Sequence, residues 1–137
     1  MKRVTVQTRK RIEMIDITGT VNAVLREKGA DSGLCVIFVP HTTAAVTINE
    51  NADPDVPRDI LMQLDTLVPL NNNYRHREGN SAAHIKSSLI GASEMLFVEG
   101  GRLVCGTWQS VFFCEFDGPR TRNVVVDFYP QSRDGEA

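Results

Sequence analysis

The sequence is poor in the residues that mark specialised classes of protein. Its 137 residues include only three cysteines, three histidines and one tryptophan. The cysteines, Cys35, Cys105 and Cys114, are odd in number, form no C-x-x-C pair and sit among apolar neighbours. That excludes a disulfide scaffold or zinc ribbon and fits reduced, buried thiols in a cytoplasmic protein. No apolar stretch approaches the ~18–20 residues of a membrane span, the longest, residues 34–39, being stopped by Pro40. No apolar signal-peptide core follows Met1-Lys2-Arg3. Neither sign of charge dominates: 15 Lys and Arg face 17 Asp and Glu, a formal net charge of -2. Binding to nucleic acid by bulk phosphate attraction is thereby disfavoured, as is a polybasic membrane surface. Internal repeats, low-complexity segments and a Gly-rich phosphate loop are all missing.

What is present is enough for one domain. With 42% hydrophobic residues, a chain of this length buries roughly two thirds of its unfolded surface and needs no structural metal. Val4 and Val6 alternate with polar neighbours, and Ile12 and Met14 repeat the pattern, so two strands are expected. Thr18 opens a short amphipathic helix through Val21, Val24 and Leu25, stopped by Gly29. The continuous apolar run at 33–39 predicts a central strand buried on both faces. Residues 42–48 form another strand, whose Ala44 and Ala45 allow close approach by a second backbone. Asp53 is expected to cap a helix with Pro54 at its first position and Val56, Ile60, Leu64 and Leu67 on its apolar face. Ser81 is expected to cap a further short helix ending at Gly91. The last third alternates strands and turns: 95–98, Gly100-Gly101, 103–105, 107–116, Gly118-Pro119 and 123–129. The fold class is therefore α+β, a single domain of mostly antiparallel sheets with two to three short helices, spanning 1–130. The polar tail, 131–137, is expected to be disordered.

Polar residues concentrate in four blocks at strand ends and helix starts, where a scaffold presents functional groups. The blocks are 40–43, 49–55, 74–84 and 115–120, and they contain all three histidines: His41, His76 and His84. Three imidazoles plus water would make an open catalytic metal site, with Mg or Zn as the candidate ion, although the spacing matches no zinc signature. Taken singly, His76 also reads as an exposed loop residue, His41 as a strand end and His84 as a half-buried helix residue. The helix start at Asn80 and Ser81, with Arg75 upstream and Arg120 beyond the Gly118-Pro119 turn, suits a phosphate or carboxylate. A normally capped helix with solvated arginines is the alternative. Among the carboxylates, Asp53 and Asp117 have local turn and cap roles, whereas Glu50 and Glu115 have none. Glu115, on a strand opposite Cys114 and Phe116, faces solvent, an interface or a site, and is a candidate general base or Mg²⁺ partner. Cys114 has nothing near it to make a thiolate, and Trp108 reads as packing.

Three strings carry a family resemblance: HTTAAVTINENADPDV at 41–56, EGNSAAHIKSSLIG at 78–91 and GRLVCGTWQSVFFCEFDGPR at 101–120. Together they are similar to the signatures of the YjbQ-like family, also labelled secondary thiamine-phosphate synthase. The resemblance runs from the first strand to about Tyr129. It implies a sandwich-like α+β fold, a homotrimer, and a weak thiamine-phosphate synthase activity that joins an aminopyrimidine diphosphate to a thiazole phosphate and releases pyrophosphate. Its signature positions fall on His41, Thr42, Asn49, Glu50, Asp53, His76, Glu78, Asn80, His84, Lys86, Gln109, Glu115, Asp117 and Arg120. Ala92 and Cys105 depart from the pattern, at packing positions. On this reading His41, Glu50, His84 and Glu115 are catalytic, and His41, His76 and His84 gather a metal or phosphate. Arg75, Asn80, Ser81 and Arg120 hold phosphate. The rival readings are a metal-dependent hydrolase with a His-based site and a non-enzymatic, anion-binding trimer.

Overall fold

Apolar residues of one parity, strand after strand, build two antiparallel sheets that face each other. The computed structural model describes residues 1–132. Elements follow in the order β1 (Lys2–Gln7), β2 (Glu13–Asp16), α1 (Thr18–Glu27), β3 (Gly33–Phe38), β4 (Ala44–Glu50), α2 (Asp55–Leu67), α3 (Ser81–Ile90), β5 (Ser93–Glu99), β6 (Arg102–Leu103), β7 (Gln109–Glu115) and β8 (Thr121–Pro130). One sheet has the order β1-β8-β3-β5-β6 and the other β2-β7-β4. Every pairing is antiparallel. The single-domain α+β reading, with its three helices, is what the structure contains.

The main core lies between the sheets. Val6, Cys35, Ile37, Val124 and Val126 of the larger sheet meet Ala44, Val46, Val111 and Phe113 of the smaller one, and α1 adds Val21, Val24 and Leu25. The opposite face of the smaller sheet, with Ala45, Phe112 and Cys114, is covered by Ala83 and Ile90 of α3 and by Leu61 and Leu64 of α2. The molecule thus has three layers: large sheet, small sheet, helices. In α3 the buried residues are Ala82, Ala83, Lys86 and Ser87, whereas Ile85 and Leu89 are exposed. These small inward residues let α3 lie along the outer edge of β4. Ser87 Oγ donates to the Ala44 carbonyl at 2.6 Å, and the Val46 amide donates to the Gly91 carbonyl at 3.1 Å. The helix therefore satisfies backbone groups that an edge strand would leave open.

Several local expectations are corrected. β3 is central but buried on one face only: Cys35 and Ile37 are fully enclosed, while Phe38 is 46% exposed. A continuous apolar run does not distinguish a two-sided strand from one whose second face carries apolar residues at the surface. That outer face also presents Met95, Phe97 and Tyr129. No residue of α2 is fully buried, and Leu67 is exposed. Asp53 does not cap α2; its Oδ1 accepts the Asp55 amide at 2.9 Å, one turn residue ahead of the helix. Ser81 is the first residue of α3 rather than its cap. Trp108 is exposed. Of the polar tail, Gln131 is tied down, its amide donating to the Ser32 carbonyl at 2.8 Å, and 133–137 lie outside the described residues.

All three cysteines are free. Cys35 and Cys114 are buried, one in each core, and Cys105 is half-buried. Burial, aided by the nearby Asp127 carboxylate, pushes the Cys35 thiol up to about 11. Burial alone pushes Cys114 up to about 12.

Phe113 is the largest side chain from the smaller sheet in the inter-sheet core, and it is wholly enclosed. Phe113→Ala is expected to destabilise the protein by about 3–5 kcal/mol. The check is urea unfolding, in which the midpoint falls while the denaturant slope stays constant.

Candidate functional site

An open cleft of about 800 Å³ lies where β3 ends, β4 and β8 begin, and the chain enters α3. Residues 38–43 form one wall, His76, Glu78, Asn80 and His84 the facing one, and Arg120 and Arg122 close the base. His41, His76 and His84 therefore border a single cleft. The rings of His76 and His84 touch edge to face, with centroids 5.4 Å apart. His76 Nε2 also lies 3.9 Å from a Glu78 carboxylate oxygen.

His41 has a defined proton arrangement. The Asn123 backbone amide donates to His41 Nε2 at 2.9 Å, so that nitrogen carries no proton and the neutral ring bears its hydrogen on Nδ1. Burial lowers the His41 pKa, and the charge of Arg122 lowers it further. His41 is thus a neutral donor through Nδ1–H. Its Nε2 lone pair is already spent, and a metal could meet Nδ1 only after displacing a proton.

Beneath it lies a buried ion pair. Glu115 is fully enclosed and Arg122 is nearly so. Arg122 Nε donates to Glu115 Oε1 at 2.9 Å, and Nη2 donates to Oε2. Thr8 Oγ1 donates to Oε1 at 2.7 Å, and the Asp117 amide to Oε2 at 3.1 Å. Burial alone would raise the Glu115 pKa, but these hydrogen bonds and the guanidinium charge hold it below the usual carboxylate range. A carboxylate so occupied cannot take a proton from substrate, so Glu115 positions Arg122 instead of acting as a general base. Arg122 Nη2 also donates to the Thr43 hydroxyl at 2.8 Å and to its carbonyl at 3.2 Å. Its Nη1 has no partner among the described residues and belongs to a side chain lining the cleft. The Gly118-Pro119 turn presses on this cluster: a Cβ at Gly118 would stand 2.4 Å from the Lys10 carbonyl and 2.9 Å from Thr8 Oγ1.

Asp117 joins the remaining pieces. Its Oδ2 accepts from Asn80 Nδ2 at 2.9 Å and from Arg120 Nη2 at 3.0 Å. Arg120, half exposed, keeps donors free for a ligand. Asn80 Oδ1 is buried without a partner, the one such side-chain atom found among the described residues. An unpaired buried acceptor costs about 1–3 kcal/mol, and this one sits where α3 enters the cleft. Behind α3, the buried Lys86 ammonium donates to Asp65 of α2 and fixes the helix that carries His84.

The expected site residues do not all converge. Glu50 ends β4 opposite Gln109, at the far end of the strand from the cleft. Seven residues of extended chain from Thr43 put it roughly 20 Å away. Arg75 and Ser81 line a neighbouring depression instead of the cleft. No group of three or more His, Cys, Asp or Glu side chains among the described residues is placed to hold a metal ion.

A family model for UPF0047 protein YjbQ-like matches residues 2–131. The chain belongs to this family. UPF0047 protein YugU of Bacillus subtilis is 55% identical over 127 residues, covering 92% of this chain and 96% of the relative. UPF0047 protein MJ1081 of Methanocaldococcus jannaschii is 51% identical over 121 residues, covering 88% of each. The crystal structure of a YjbQ/UPF0047 family protein from Clostridium acetobutylicum superposes with a TM-score of 0.92 at 50% identity, over 94% of this chain and 100% of that one. No helix among the described residues is long and apolar enough to cross a membrane.

The residue that sequence reasoning placed least well is Arg122, read as one more phosphate fork after the turn. Its parity on β8 matches that of Val124 and Val126, which point into the core. Glu115 shares parity with Val111 and Phe113 in the same way. Two opposite charges at inward positions of facing sheets were the available signal for a buried pair.

Glu115→Gln leaves the Arg122 guanidinium buried without its counter-charge, at an expected cost of about 3–5 kcal/mol. The pKa of Glu115 is lower when folded than when unfolded. Its stabilisation is therefore complete above the ordinary carboxylate range and fades as pH falls through the folded value. Thermal unfolding from pH 7 to pH 3 is expected to show a flatter acid limb in Glu115→Gln than in the wild type.

Proposed function

We propose that the cleft binds the phosphate groups of a small phosphorylated substrate, and that the protein is a transferase of the thiamine-phosphate synthase type. The observation that carries this reading is the convergence of hydrogen-bond donors: His41 Nδ1–H, Arg122 Nη1 and the free donors of Arg120 border one cleft at the start of α3. Joining an aminopyrimidine diphosphate to a thiazole phosphate puts negative charge on the departing pyrophosphate, and fixed donors stabilise such charge without reorganising. The named reaction rests on the sequence strings shared with the family; the chemistry of anion binding rests on the cleft. His76 and His84 are the titratable groups left to move a proton, since Glu115 is committed to Arg122 and Glu50 is remote.

A three-histidine metal hydrolase fits these residues poorly, because His41 Nε2 is bonded to a backbone amide. A divalent ion enters the reading only as the companion of the diphosphate. We place the chain in a homotrimer, supported by the outer face of the larger sheet, where Phe38, Met95, Phe97 and Tyr129 expose more apolar surface than isolated surface residues require. Phe38 borders the cleft as well, so a neighbouring subunit on that face would stand beside the site.

Purified protein given both precursors and Mg²⁺ is expected to form thiamine phosphate, with His84→Ala and Arg120→Ala slowed about a hundredfold. No product, with His84→Ala indistinguishable from wild type in pyrophosphate binding, overturns the reading. Tight pyrophosphate binding without turnover across phosphorylated metabolites replaces it with a non-enzymatic anion-binding module. His41→Asn, whose amide N–H can take the place of Nδ1–H, is expected to bind pyrophosphate nearly as wild type does, and His41→Ala about tenfold more weakly.

Light scattering after gel filtration checks the assembly. The expected mass is three times the 15.2 kDa of the chain, and Phe97→Glu is expected to shift it to a monomer.

A further inference from the structure

Behind the pair of imidazoles lies a second depression of about 330 Å³, lined by Tyr74, Arg75, His76, Ser81, His84 and Ile85. Its wall is mostly carbon, in contrast to the donor-rich cleft. His76 and His84 border both spaces, so the edge-to-face pair is a partition between them. Tyr74 Oη donates to the Pro69 carbonyl at 2.7 Å, which turns the polar end of the ring away and leaves the phenyl body as lining. Ile85 is partly exposed on α3, an apolar side chain at the surface of a helix whose inward face holds Lys86 and Ser87. Arg75 makes no hydrogen bond or ion pair within the described chain. Its planar guanidinium is a surface on which a flat ring stacks.

We propose that this depression is a subsite for the flat heteroaromatic ring of the same substrate whose phosphate occupies the cleft. The inference rests on the phosphate reading above and adds the class of molecule: an aromatic ring joined to a phosphate through a short linker. The apolar wall takes the ring, the donor-lined cleft takes the phosphate, and the His76–His84 partition lies beside the bond between them. An aliphatic phosphate of equal charge fills only half the site. Arg75 and Ser81, expected from sequence among the phosphate ligands, belong to the ring's side of the partition.

Calorimetric titration with inorganic pyrophosphate, methyl phosphate and benzyl phosphate tests this on the full chain. Benzyl phosphate is expected to bind about tenfold more tightly than methyl phosphate, a ratio within reach of burying one aromatic ring. Ile85→Asp, a surface substitution that leaves the core untouched, is expected to abolish that ratio and leave pyrophosphate affinity unchanged. Tyr74→Ala is expected to do the same, with circular dichroism checking the fold. Pyrophosphate binding together with equal affinity for benzyl and methyl phosphate overturns the subsite and spares the phosphate reading. Failure of wild type to bind pyrophosphate overturns the phosphate reading, and the subsite with it. A benzyl preference that survives Ile85→Asp and Tyr74→Ala places the ring elsewhere and also overturns the proposal.

Discussion

The ion pair between Glu115 and Arg122 is the constraint on which the rest of the cleft depends. Glu115 stands at the end of β7 in the small sheet, and Arg122 near the start of β8 in the large one. Their contact therefore locks the two sheets together where both strands meet the site. Desolvating two charges is costly, and hydrogen bonds from Thr8 and the Asp117 amide are needed to complete the carboxylate's shell. Once paired, Arg122 orients Thr43, depresses the His41 pKa and turns one guanidinium nitrogen toward the cleft. A free arginine in the same place would have to be ordered by the ligand itself, at the expense of affinity.

The helical layer serves the site as well as the fold. α3 satisfies the outer edge of β4 through Ser87 and Gly91 and carries His84 into the cleft on the same turns. Lys86, one residue removed from Ile85 and two from His84, anchors the helix to α2 through Asp65. This explains why α3 has an inverted pattern, with charge and small residues inward and Ile85 and Leu89 outward. An apolar underside would pack on the small sheet equally well, but it would hold the helix farther from the backbone of β4.

Much of the architecture was legible because strand and helix periods are local properties. Alternation at Val4 and Val6, the stop at Gly29 and the turns at Gly100-Gly101 and Gly118-Pro119 each correspond to an observed boundary. The failures share a different cause. Whether β3 has one covered face or two depends on what lies above Phe38 and Met95, which periodicity does not encode. Glu50 and His41 fall in adjoining polar blocks, yet β4 runs straight between them and carries them to opposite ends of a sheet. Arg75 and Ser81 flank the histidines in sequence but lie beyond the His76–His84 partition in space. Polar blocks thus pointed to the right loops, and the strand lengths between them decided which side chains met.

The two buried thiols lend themselves to a use unrelated to binding. Cys35 belongs to the core between the sheets and Cys114 to the core beneath the helices. With pKa values pushed up to about 11 and about 12, neither is a nucleophile while its layer stays closed. Each becomes reactive only when its own layer opens. Labelling rates at the two positions therefore separate detachment of the helical layer from separation of the sheets, and the protein carries an internal clock for each of its two modes of opening.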